Sequence, residues 1–131
     1  MTVLVDTSAL YALLDRNDTS HPAAQSIFAR LAAADAQLTT HSYVVVEAFA
    51  LTQRRLGDEA VRRLAFELMP VIEITWVERE LHERAVSALV AAASGVPLVD
   101  RVSFELMRDR GIEDAFAFDD DFEGAGFRVL A

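Results

Sequence analysis

The sequence predicts an α/β protein, a mainly parallel β-sheet with helices packed on both faces. Three observations carry this. Short apolar or β-branched runs alternate with segments of helical apolar periodicity from end to end. The first run, Val3-Leu4-Val5, is apolar throughout and leads straight into an acid and a helix, as a buried strand does. No repeat, linker or low-complexity stretch divides the chain, so its 131 residues read as one domain, 1–131.

Taken in order, residues 2–5 form the first strand. Residues 8–14 form a short helix with Leu10, Leu13 and Leu14 on one side. Asn17-Asp18-Thr19-Ser20 is a polar loop, and Ser20 is expected to cap a helix with Pro22 in its first turn, where proline is tolerated. Ala24, Ile27, Phe28 and Leu31 give that helix a buried stripe. Residues 37–40 are a strand. Ser42 is expected to cap the next helix, which Gly57 stops. Asp58 caps another, with Val61, Leu64, Ala65 and Leu68 at helical spacing and Pro70 at its end. Residues 71–75 are a strand, 78–93 a long helix closed by Ser94-Gly95, and 100–110 a helix stopped by Gly111. Residues 115–118 are a strand, 119–123 a turn and 127–130 a final strand.

Composition narrows the function. There is no cysteine, which excludes disulfides and thiolate metal sites. No apolar run approaches the length of a membrane span. The start of the chain has no basic residue before its apolar run, unlike a signal peptide. A cytoplasmic protein without membrane contact is expected. The net charge is −9, and all 12 basic residues are arginine. Residues 100–131 hold nine acids against four arginines. Such a chain lacks the basic patch that grips nucleic acid. Clustered acids that bind a divalent cation offer another route to a phosphate.

Four acids stand out. Asp6 follows the first strand, and the crevice beyond strand carboxyl ends is where open α/β sheets bind ligands. It is equally a helix cap, although Thr7 or Ser8 could serve in that place. Glu47 sits among Tyr43, Val44, Ala48 and Leu51 and interrupts an apolar helix face. A buried carboxylate there needs an arginine, a shifted pKa or a cation; the alternatives are an ion pair with an arginine or a face that is only half buried. Asp100 opens a helix as a cap or as a ligand, and Ser103 one turn later could orient it. Asp119, Asp120 and Asp121 follow an apolar strand. Three adjacent acids persist as a solvated turn, at a helix N-terminus or around a cation. Oxygen ligands without cysteine suit Mg²⁺ or Mn²⁺, which can activate water in phosphoryl transfer.

The ordered set V-D-T-S-A-L, V-V-V-E-A-F, P-L-V-D-R-V-S-F and F-A-F-D-D-D-F-E-G-A-G-F resembles the PIN-domain ribonucleases, and within them the VapC-type toxins of bacterial toxin–antitoxin pairs. The resemblance spans essentially the whole chain; no single motif is specific, but their order is. It implies a three-layer α/β/α sandwich with a mainly parallel sheet. It implies an acidic site of Asp6, Glu47, Asp100 and Asp119 that holds Mg²⁺ or Mn²⁺, with Asp6 and Asp100 as principal ligands. Ser8, Ser103 and Asp121 are the residues expected around it. The implied reaction is hydrolysis of RNA by metal-activated water. Implied partners are a cognate antitoxin and a second copy of the chain. Asp120 and Asp121 depart from the pattern by adding negative charge where basic residues are often found.

Other residues read as structural. Arg16, Arg54, Arg55 and Arg101 lie near the proposed site in sequence and could contact phosphates, but each individually reads as part of a solvated helix face. His21, His41 and His82 show no ligand spacing and are expected at the surface or as caps, with a general-base role the alternative for His41. Trp76 is expected in the core or at an interface. A non-catalytic protein-interaction module on the same fold is the alternative, with the acids serving as caps and ion pairs. A phosphatase or phosphorylated receiver is disfavoured, because Asp6-Thr7-Ser8 lacks a second acid and no lysine is present to hold phosphate.

Overall fold

The computed structural model describes residues 1–131. Five strands, β1 (Thr2–Val5), β2 (Gln37–His41), β3 (Glu73–Thr75), β4 (Asp114–Phe116) and β5 (Arg128–Val129), form one sheet of order β3-β2-β1-β4-β5. Every pairing is parallel, and Leu4 of β1 lies opposite Thr39 of β2 and Ala115 of β4. The first strand is central. The chain builds outward through β2 and β3 on one side and returns to β4 and β5 on the other. The order therefore reverses beside β1, and the carboxyl ends of β1 and β4 flank the crevice that such a reversal opens.

Seven helices connect the strands: α1 (Thr7–Leu14), α2 (His21–Ala33), α3 (Ser42–Arg55), α4 (Asp58–Arg63), α5 (Arg79–Ala92), α6 (Leu98–Arg110) and α7 (Asp121–Gly124). Side chains alternate across β1, as the pleat requires. Val3 and Val5 enter one core with Leu10, Ile27, Val44 and Leu64, while Leu4 enters a second with Phe104, Met107 and Phe122. A sheet with both faces buried in this way gives the expected α/β/α layering. Phe104 meets Phe122 edge-on at 5.1 Å, which ties α6 to α7.

Several boundaries differ from expectation for local reasons. Ser42 is the first residue of α3 rather than its cap, and its Oγ accepts from the Val77 N–H at 2.9 Å. Ser20 makes no side-chain cap bond because its backbone is already helical (φ −87°, ψ −1°), outside the extended geometry that capping needs. Gly57, at φ 90°, takes the cap position ahead of Asp58. After α4 the helix widens into a π turn, Leu64–Leu68, then tightens into Met69–Val71 at Pro70, so β3 starts only at Glu73. Helix α6 starts at Leu98, which puts Asp100 inside the first turn. The turn after β4 contains the short helix α7.

Candidate metal centre

Asp6 leaves the end of β1 and is buried at 3% exposure. Its Oδ2 accepts the Ser8 N–H at 3.1 Å and the Ser8 hydroxyl at 2.6 Å. Asp6 is thus the N-cap of α1, and capping and site roles fall on one side chain. The Ser8 hydroxyl also accepts the Phe118 N–H at 2.9 Å. It fastens the β1–α1 turn to the chain leaving β4. The Asp6 N–H donates to the Phe116 carbonyl at 3.0 Å, continuing the same seam.

Asp100 arrives from the first turn of α6 and is 7% exposed. Asp119 follows β4, and its Oδ1 accepts the Asp121 N–H at 3.0 Å. One carboxylate oxygen each from Asp6, Asp100 and Asp119 lie within 4.8 Å of one another. Burial is the main force raising all three pKa values above the ordinary 3.8. Asp6 is pushed up to about 7, its Ser8 bond pulling down against burial and the Asp119 and Glu47 charges. Asp100 is pushed up to about 8 by burial and then by the charges of Asp6 and Asp119. Mutual repulsion of this kind makes the trio titrate as a unit. No arginine is paired with any of the three. Three hard oxygen donors, two of them buried and all lacking a cationic partner, fit Mg²⁺ or Mn²⁺.

The trio opens into a cleft of about 550 Å³ that Glu47, Arg54 and Asp121 also line. Glu47 reaches the cleft but not the trio. It is exposed, so of the readings open for Glu47 the half-buried face is the one that holds. Positions 47, 51 and 54 of α3 face the open groove, while Val44 and Ala48 face the core. Ser103 is also placed differently. It is fully buried, donates to the Val99 carbonyl at 3.2 Å and bonds His41 Nε2 at 2.8 Å. Its hydroxyl points between α6 and β2 and does not orient the Asp100 carboxylate.

His41 stands at the N-cap position of α3, one of the two places expected for it, but makes no side-chain cap bond. It is buried rather than at the surface, and desolvation lowers its pKa to about 4, so the imidazole is neutral. With Ser103 donating to Val99, His41 Nε2–H donates to Ser103, and Nδ1 is left without a partner. The only available signal was its place at the end of β2, whose burial depends on a strand order that the sequence does not spell out. The Tyr43 hydroxyl meets His82 Nδ1 at 2.6 Å, and His21 Nδ1 donates to the Ala12 carbonyl at 2.7 Å. Trp76 is 69% exposed, which removes it from the core.

Carboxylates gathered at the switch point of a parallel sheet, with no arginine paired to them, define a class: α/β domains with an acidic centre that could hold a divalent ion. The chain belongs to the PIN-domain family, whose sequence profile matches residues 3–128. It is 35% identical over 127 residues to the 23S rRNA-specific endonuclease VapC20 of Mycobacterium tuberculosis, covering 95% of both chains. The crystal structure of that protein, described as a sarcin–ricin loop cleaving toxin, matches with a TM-score of 0.82 over 95% of each chain. VapBC2 from Rickettsia felis, bound to a DNA fragment from its promoter, matches at TM-score 0.73, with 11% identity over 99% of this chain and 98% of that one. FitAcB from Neisseria gonorrhoeae matches at TM-score 0.70, with 14% identity over 100% and 97%. At those identities the last two establish the shared fold.

Proposed function

We propose that the chain is a metal-dependent endoribonuclease of the VapC type, the toxin of a type II toxin–antitoxin pair. The observation that carries this is the trio Asp6, Asp100 and Asp119, with their oxygens within 4.8 Å and no cationic partner. The trio would hold Mg²⁺ or Mn²⁺, and Glu47 and Asp121 complete the acidic wall of the cleft. A divalent ion bound there supplies an acidified water and cancels charge on a phosphate. The chain's own residues do the rest. Ser8 fixes the Asp6 carboxylate and the β4 loop together. Helix α6 sets Asp100 against them. Glu47, exposed on the open side of the cleft, would take the proton as water attacks a phosphodiester phosphorus, and the departing oxygen would be protonated from solvent.

The likeness to VapC20 makes a 23S rRNA hairpin loop the first substrate to test. Recognition of an unpaired loop suits an acidic cleft, because splayed bases can be read without a broad basic surface. The exposed apolar side chains Val46, Phe66, Val71, Trp76 and Val90 suit protein partners, an antitoxin and a second copy of the chain. Such an enzyme would act in the cytoplasm; no helix of the chain is long and apolar enough to cross a membrane. The Asp6→Asn variant tests the reading. Asparagine caps helices as well as aspartate, so the fold should persist. Cleavage of an RNA carrying the sarcin–ricin loop, with Mg²⁺ present, is expected to fall to background. Cleavage at the wild-type rate would refute the site.

A further inference from the structure

The cleft poses an electrostatic problem. It presents the carboxylates of Asp6, Glu47, Asp100, Asp119 and Asp121, and a single cation, Arg54. An ion held by the trio offsets charge only beside the trio. The rest of an RNA strand would meet acid. Arg54 is exposed and belongs to no ion pair, whereas Arg63, Arg84, Arg110 and Arg128 all do. Its guanidinium is therefore free for a ligand.

Resting on the ribonuclease reading, we propose that Arg54 is the phosphate clamp of this cleft. It binds a strand phosphate flanking the one under attack. Glu47, Leu51 and Arg54 line the cleft along one stripe of α3. Seven residues of helix separate Glu47 and Arg54 by about 10 Å along the axis. Across that offset the guanidinium would meet a phosphate beside the reacting one. A guanidinium presents two parallel N–H groups to phosphate oxygens, a geometry that an ammonium cannot copy. A flanking contact is made equally in the ground and transition states, so it lowers KM and leaves kcat unchanged.

The rival explanation is structural. Arg54 and Arg55 both occupy the last turn of α3, where positive charge favours the helix dipole. Arg55 separates the two explanations. It lies 5.8 Å from the Tyr11 ring centroid and does not line the cleft.

The test is steady-state cleavage of an RNA hairpin carrying the sarcin–ricin loop, with Mg²⁺, by the full chain and its R54A, R54K and R55A variants. R54A should raise KM about tenfold, the scale of a charged hydrogen bond, with kcat within about twofold. R54K should fall between R54A and wild type. R55A should match wild type. The slope of log KM against log salt should fall by about 0.7 in R54A, the value for one lost single-strand phosphate contact. Melting of each variant with and without Mn²⁺ should show the same metal-induced shift in all four, since the trio is untouched. An R54A enzyme with wild-type KM and salt slope, or one that matches R55A in both, overturns the clamp while leaving the ribonuclease reading intact. A wild-type chain that cuts no RNA with Mg²⁺ or Mn²⁺ refutes that reading, and the clamp with it.

Discussion

At Asp6 the Ser8 N–H and the Ser8 hydroxyl both fall on Oδ2. One carboxylate thereby caps α1 and stands at the head of the acidic trio. The same hydroxyl takes the Phe118 N–H, so Ser8 sets the spacing between Asp6 and the loop that delivers Asp119. Ser8→Ala should keep the cap through the Ser8 backbone N–H and loosen the trio. Apparent Mn²⁺ affinity, read by titration, should drop roughly 10- to 100-fold, the usual range for a group that orients a ligand; unchanged affinity would show that Ser8 has no such part. Residues of this kind were legible in the sequence. Asp6, Asp100 and Asp119 stood out because each follows a strand or opens a helix, and parallel strands deliver their ends to one edge. Glu47 was reached by a poor route. Its neighbours Val44 and Ala48 are buried while Glu47 faces the groove, and only three-dimensional packing reveals which side of the stripe is open.

Between elements, the contact that matters most to the site is the one between β2 and α6. Buried His41 and Ser103 bridge them at 2.8 Å, and the Ser103 bond to Val99 spans the turn that carries Asp100. The strut acts through helix position and not by touching the carboxylate. Ser103→Ala would leave His41 Nε2–H unpaired in addition to Nδ1. It should lower stability by about 1–3 kcal/mol, seen as a lower urea midpoint with an unchanged m-value. An unchanged midpoint would mean that the pair carries no net stabilisation. Helix α2 was visible from its apolar periodicity, and α3, α5 and α6 also from the glycines that follow them. Their edges were not, because Pro97 starts α6 earlier than Asp100 could indicate and the π turn after Arg63 delays β3. Neither feature leaves a periodic trace.

Across the whole molecule, strand order was beyond the sequence, yet it decides the site. Only with β1 between β2 and β4 do Asp6 and Asp119 share a crevice. The unpaired acids also set a pH signature. In the metal-free protein Asp6 and Asp100 sit at about 7 and about 8, above the ordinary 3.8, so the folded state binds more protons than the unfolded one. Stability should therefore fall as pH rises from 6.5 to 8. His41, held down near 4 from its ordinary 6.5, pulls the opposite way, but only below pH 6.5. A melting temperature lower at pH 8 than at pH 6.5 is expected without metal, and saturating Mn²⁺ should flatten or reverse the trend because binding favours the deprotonated carboxylates. A flat metal-free profile would place the acids in water.

Asp6, Asp100 and Asp119 are proposed to form a cation site. Calorimetric titration of Mn²⁺ into the metal-free chain near pH 7, run in two buffers of different ionisation enthalpy, tests it most directly. The predicted result is saturable binding with net release of protons to the buffer, weakened sharply in Asp6→Asn. Wild-type protein that shows no saturable binding, or Asp6→Asn that binds Mn²⁺ as tightly with the same proton release, would contradict it.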